Sequence, residues 1–266
     1  MKNDAEYLKI LVDPIRVCAS YRPKMGNGRE KGYDLLTFQS LYQADPLYGW
    51  FGLDNPLMYA AHKAAGGMTS IYRQVGIGCE RLFRQILIDQ LGLSADEANW
   101  SYSIPIAGGK TRTLHLDGRI QFDAVKDAAA RKRVEAWVQK SAADLGVNSA
   151  VAAALTGAVF EVRQGYKSKD SKRQNADIAN AATAYVNTYL PCAVILSTQI
   201  DGDILSRYRG EKWSIIIGSL SDDEMRSTYA FMKKVVGYDL ASFFSRNSDA
   251  LKMEIDLVLK QLLDAN

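Results

Sequence analysis

The chain has 266 residues, 47% hydrophobic and 24% charged, with 6 prolines and a formal net charge of +3. Such a chain is long enough to bury a sizeable core and reads as an ordinary soluble globular protein, which sets aside collagen-like, low-complexity and disordered classes. The small positive charge permits nucleic acid as a partner without demanding it. No run of about 18 apolar residues is present, so no transmembrane helix is expected, and the polar start MKNDAEYLKILVDP does not read as a secretory signal. Cys18, Cys79 and Cys192 are few and far apart, which favours reduced thiols in a cytoplasmic protein over a disulfide frame or a zinc knuckle.

Residues 4 to 20 carry Tyr7, Leu8, Leu11, Ile15 and Ala19 at helical spacing, with Pro14 as a candidate kink. The next stretch, YRPKMGNGREKG, is rich in glycine and basic residues. It is either a plain surface loop or an arm that orders on a polyanion, which makes Arg22, Lys24 and Arg29 candidate phosphate contacts. Short helices are predicted over 35–48 and 56–65, separated by the aromatic turn YGWFGLDNP. The strongest helical pattern runs over 69–91, with Ile71, Val75, Cys79, Leu82, Phe83, Ile86, Leu87 and Leu91 in one stripe. Gly76 and Gly78 weaken its first half, so the backbone there bends or lets a neighbour come close. Glu80 stands beside the stripe with Arg84 one turn on, the spacing of a helical ion pair.

After Ser94 the period changes to two. Strands are predicted over 100–106, 111–116 and 119–125, the last two joined by a tight hairpin at Asp117-Gly118. An amphipathic helix follows over 126–145, with Val134, Trp137 and Val138 inward. Its basic group Lys126, Arg131, Lys132 and Arg133 is either a solvated face or a phosphate contact. Residues 156–198 then read as a β-α-β unit: a strand over 157–166, a helix over 170–189 and a second apolar strand over 192–198. The first strand is apolar at Val159, Phe160 and Val162, yet side-chain alternation puts Glu161, Arg163, Gly165 and Lys167 on one face. A carboxylate on a buried strand is costly unless a cation, a metal or hydrogen-bond donors meet it. Glu161 is therefore neutralised by its own neighbours or held there for a metal. Lys169, Lys172 and Arg173 extend the basic group beside it and suit phosphate contact. Beyond the unit, a short strand is predicted over 213–217 and two helices over 221–264. The stripe Leu251, Ile255, Leu259 and Leu262 is either core cover or a dimer face.

Several chemistries are excluded by counting. Only His62 and His115 can serve as imidazole bases, and neither sits in a recognisable catalytic setting. No HExxH or paired CxxC spacing is present, which argues against zinc. The run Ala107-Gly-Gly-Lys-Thr111 lacks the first glycine of a phosphate-binding loop and leads into a strand, and Gly76-Ile-Gly78 has Arg81 where a dinucleotide fingerprint needs its third glycine. What survives is a chemistry of carboxylates and basic side chains. Asp117 at a strand end and Glu161 on the next sheet strand can share a hard divalent cation, which suits magnesium. A nearby Lys167 or Arg163 can orient water and offset charge building on a phosphate. Asp123, in QFDAV, is a rival to Asp117 as the first acid.

These residues, in this order, resemble the core of the PD-(D/E)XK nucleases. Asp117 in L-D-G-R-I stands where the family has P-D, and Glu161 in E-V-R stands where it has (D/E)-X-K. The continuation QGYKSKDSKRQNADIANA, leading to LPCAVILS, is similar to the segment after the catalytic strand in EcoRI-like type II restriction endonucleases, with ApaLI-like enzymes a candidate for a nearer match. The resemblance covers roughly 70–218. It implies an α/β fold with a mixed central sheet flanked by helices, a nuclease core over 68–218, and helical additions at 1–67 and 219–266, all in one domain. It further implies a magnesium-dependent endonuclease acting on double-stranded DNA as a homodimer, with Glu80 as an outer ligand. DNA contacts would come from Lys169, Lys172, Arg173, Arg119, Arg22, Lys24 and Arg29. Two departures stand out: Arg163 takes the position of the motif lysine, so Arg163 or Lys167 fills that role, and the long Asp117–Glu161 spacing requires helix 126–145 to be inserted between the two strands. The alternative is a DNA-binding or structural protein on the same scaffold that has lost catalysis.

Overall fold

The computed structural model describes residues 4–25, 31–106, 110–165 and 180–264. In chain order the elements are α1 (Asp4–Arg16), α2 (Leu35–Gln43), α3 (Pro46–Trp50), α4 (Pro56–Leu91), α5 (Ala95–Ala98), β1 (Trp100–Ile106), β2 (Lys110–Leu116), β3 (Gly118–Gln121), α6 (Ala128–Asp144), α7 (Ser149–Ala153) and β4 (Gly157–Arg163). Helix α8 is described over 180–186. Then come β5 (Tyr189–Ile195), α9 (Gly202–Gly210), β6 (Ser214–Ile216), α10 (Thr228–Phe231), α11 (Leu240–Arg246) and α12 (Ser248–Leu263). The described residues form two units, 79–245 and a second made of 4–78 with 246–264.

In the second unit, capping decides where helices start. Asp34 accepts the Thr37 N–H at 2.9 Å and opens α2, while Asp45 accepts the Leu47 N–H at 2.9 Å and opens α3, with Pro46 at the first helical position. The single helix predicted over 35–48 is thus two, because the residue before a proline avoids helical geometry. The opposite correction applies to 56–91, where a break was predicted and one helix of 36 residues runs through. Gly66 and Gly67 mark close approach instead: a Cβ at Gly66 would collide with the Tyr21 ring, and one at Gly67 would lie 2.6 Å from Leu262. Ile255, Leu259 and Leu262 of the C-terminal stripe pack with Ile15, Cys18 and Ile71, so within this unit they are core cover.

The first unit is built on a four-stranded sheet in the order β3-β4-β5-β6. β3 runs antiparallel to β4, and β4, β5 and β6 are parallel, so the sheet is mixed, with helices flanking it. Helix α6 separates β3 from β4 in sequence, as the long Asp117–Glu161 spacing required. β4 is buried from Gly157 to Val162. On one of its faces Phe160 meets Phe83 of α4, Trp137 of α6 and Phe231 of α10 at ring-centre distances of 5.2, 6.3 and 5.8 Å. On the other, Val159 joins Ala193 and Ile195 of β5 and Trp100, Leu116 and Trp213 in a second buried cluster. β5 begins three residues earlier than predicted and contains Pro191, which precedes the first residue paired with β6 and so lies where the strand has a free edge on that side.

β1 and β2 form a separate two-stranded antiparallel ribbon, in register from Trp100 opposite Leu116 to Ile106 opposite Lys110. The hairpin predicted at Asp117-Gly118 is therefore corrected: β2 pairs back onto β1, and β2 and β3 belong to different sheets. Gly118 serves packing, since a Cβ there would lie 3.2 Å from Phe83 Cε1 and 3.5 Å from Leu87 Cδ1. A large ring wholly enclosed by aromatic partners leaves a cavity when truncated, so Phe160→Ala is expected to cost about 3–5 kcal/mol in urea unfolding; a loss under about 1 kcal/mol would show that this face does not carry the core.

Candidate active site

Asp117 stands where the chain leaves β2 for β3. Its N–H donates to the carbonyl of Phe160 at 2.8 Å, while Gly118 is the register partner of the same Phe160. Two residues facing one is the count of a β-bulge, a device that re-aims a side chain and interrupts pairing. The side chain so aimed reaches β4, where Asp117 Oδ2 accepts the Val162 N–H at 2.7 Å. The carboxylate therefore lies against the peptide group joining Glu161 to Val162. Glu161 is 6% exposed and ion-paired with Arg163, two residues on and on the same face of β4.

The last part of α4 closes the group. Arg84 Nη2 lies 3.0 Å from Glu80 Oε1, the ion pair their spacing suggested, and Arg84 Nε donates to the Asp117 carbonyl at 2.8 Å. One guanidinium thus bridges the helix acid and the backbone of the strand acid, a use of the planar donor fork that a lysine could not reproduce. Burial pushes the Asp117 carboxyl up to about 6, and the nearby charge of Glu80 adds to the rise. The Val162 hydrogen bond and the Arg163 and Arg84 charges pull it down without restoring the ordinary carboxylate value. A cavity of about 460 Å³ is lined by Glu80, Arg84, Trp100, His115 and Asp117.

Asp117, Glu161, Arg163 and Glu80 are accordingly brought to one region. The rival acid Asp123 is exposed on a short 3-10 turn past the far end of β3. Arg119 donates to the carbonyls of Glu97 and Asp96 at 2.9 and 3.0 Å, which satisfies the end of α5. Arg131 binds the Val125 carbonyl at 2.9 Å and Arg133 the Val235 carbonyl at 3.3 Å, so half of that basic group is engaged with backbone. Arg22 and Lys24 are exposed in the other unit, Arg22 3.9 Å from Asp34. Lys167, Lys169, Lys172, Arg173 and Arg29 lie outside the described residues. Two participants were missed: the bond from Arg84 to the Asp117 carbonyl, which no local spacing encodes, and His115 in the cavity wall, whose signal was its place on the polar face of a period-two strand.

Among the described residues, no three His, Cys, Asp or Glu side chains gather as a metal-holding group. No helix among them is long and apolar enough to cross a membrane. No protein-family model, curated protein or solved structure matches the chain.

Because the folded-state value of Asp117 lies above the ordinary carboxylate value, its ionisation opposes folding. That unfavourable contribution is absent below about pH 4, grows as pH rises to about 6 and is complete above it. At about 1.4 kcal/mol for each pKa unit, Asp117→Asn, which keeps an oxygen for the Val162 N–H, is expected to be more stable than wild type by about 1–3 kcal/mol at pH 7.5. The gap should close towards pH 4 in parallel thermal melts. A variant less stable than wild type at neutral pH, or a gap independent of pH, would contradict the assignment.

Proposed function

We propose that this site is the catalytic centre of a type II restriction endonuclease with a PD-(D/E)XK core, hydrolysing phosphodiester bonds at fixed sequences in double-stranded DNA with magnesium. The observation that carries the reading is the placement of Asp117 against the Glu161–Val162 peptide, with its proton affinity raised by burial and by Glu80. The order of residues, Asp on one strand and Glu-Val-Arg on the next, supports it.

The donor chemistry fits a hard divalent cation. All the acids are carboxylates, the ligands such ions prefer, and the raised pKa marks a position where added positive charge is favourable. Asp117 and Glu161 would hold the ion and Glu80 would be the outer ligand; when bound, magnesium supplies Lewis-acid charge to the phosphate and to an attacking water. The chain's own residues do the rest. The Val162 N–H fixes the Asp117 carboxylate, Arg84 keeps Glu80 turned towards it, and Arg163 holds Glu161 in place and stands in the position of the motif lysine. Lys167 is the other candidate for that role. A homodimer reading a palindromic site in the cytoplasm belongs to the same reading.

One observation favours a second reading. The ion pair between Glu161 and Arg163 already neutralises the buried glutamate, as in a DNA-binding protein that keeps a nuclease scaffold without cutting. Incubation with plasmid DNA separates the two. Wild type in magnesium should give discrete fragments, and Glu161→Ala and Asp117→Ala should each slow cleavage about a hundredfold or more. Fragments that persist in the Glu161→Ala protein would refute the site, and gel shifts without cutting in magnesium or manganese would favour the binding protein.

A further inference from the structure

The ribbon β1–β2 has two unlike faces. On one, Trp100 and Leu116 are buried in the core and Tyr102 is half-buried, its hydroxyl bonded to Asn180. On the other, Ser101 stands opposite His115 and Ser103 opposite Thr113, and all four side chains are exposed. Ser103 Oγ and Thr113 Oγ1 lie 3.1 Å apart across the strands. Hydroxyls both donate and accept hydrogen bonds, and an imidazole can do either, so this face offers adaptable polar groups in a fixed array. Ser101, Ser103, Thr113 and His115 include no acid, so this face sets no negative charge against a polyanion.

Position supplies the rest. β2 runs straight into Asp117, and Ser101, His115 and Trp100 line the cavity at the carboxylates. A strand of 7 residues spans about 23 Å at about 3.3 Å per residue. The major groove of B-form DNA is about 12 Å wide and admits a two-stranded ribbon, whereas the deep, narrow groove of an RNA duplex does not.

We propose that the β1–β2 ribbon is the element that reads sequence, entering the major groove of duplex DNA with Ser101, Ser103, Thr113 and His115 towards the base edges. This deepens the endonuclease reading and rests on it for where the duplex lies. The backbone is brought to Asp117 and Glu161 at the base of the ribbon, and the hydroxyl-bearing face supplies the contacts that select among sequences.

Binding selection from a randomised duplex DNA library, with the full chain in calcium, tests this apart from catalysis. Wild type should enrich a motif. Ser103→Ala/Thr113→Ala should lower the preference at one or more positions about tenfold, on the scale of a lost base contact, while affinity for unselected DNA changes less than about twofold. Ser103→Thr/Thr113→Ser, which keeps both hydroxyls, should retain the motif and guards against a folding defect. A motif unchanged by the double alanine substitution, no motif from wild type, or equal binding of an RNA duplex overturns the assignment. Digestion of the same library in magnesium scores the enzyme separately. A motif bound through the ribbon without cutting leaves the reading element and removes the nuclease, and cutting at a motif indifferent to Ser103 and Thr113 does the reverse.

Discussion

The hydrogen bond from the Val162 N–H to Asp117 Oδ2, 2.7 Å long, joins two parts of the chain 45 residues apart. It exists because Asp117 and Gly118 both face Phe160, so the chain bulges and a side chain occupies a position on β4 that a neighbouring strand would otherwise pair. Gly118 lets the chain pass close to α4, since a Cβ there would lie 3.2 Å from Phe83 Cε1. Core packing thus aims an acid: the same α4 residues that cover Phe160 leave room for the backbone that turns Asp117 onto β4.

Charge balance around that bond explains the remaining side chains. Glu80 and Asp117 repel one another in a partly dehydrated site, and Arg84 and Arg163 divide the work of holding Glu80 and Glu161. Arg163 pairs with Glu161, while Arg84 bridges Glu80 and the Asp117 backbone. Burial, with the nearby charge of Glu80, raises the proton affinity of Asp117 further than the charges of Arg163 and Arg84 lower it. An acid whose proton affinity is raised by burial beside a cavity is a candidate functional group.

Much of this was legible in sequence, for identifiable reasons. The buried strand with Glu161 was visible from its apolar run, and the ribbon strands from their alternation. The ion pair of Glu80 with Arg84 followed from helical spacing. What was illegible depended on contacts between distant elements. Asp117-Gly118 carries the composition of a turn, yet its glycine answers to Phe83 and Leu87 of α4, so turn statistics pointed the wrong way. The break predicted between 65 and 69 falls on Gly66 and Gly67, which meet Tyr21 and Leu262 inside a continuous helix. The strand predicted from 192 begins at Tyr189 in the structure, and Pro191 is tolerated within it because pairing with β6 starts only at Cys192. Arg84 showed one partner in sequence and has two in the structure, the second supplied by a strand 33 residues away.

The central claim is the proposal that Asp117 and Glu161 hold a divalent cation, with Glu80 as an outer ligand. A cation that binds there must displace the proton held by Asp117, so binding and proton release are linked. Calorimetric titration of magnesium at pH 6, repeated in buffers of different ionisation enthalpy, measures that linkage directly. The account predicts release of about half a proton per ion at pH 6, where a group of that pKa is half-protonated, falling towards zero at pH 8 and lost in Asp117→Asn. Magnesium binding without proton release at pH 6, or no binding by the wild-type chain, would contradict it.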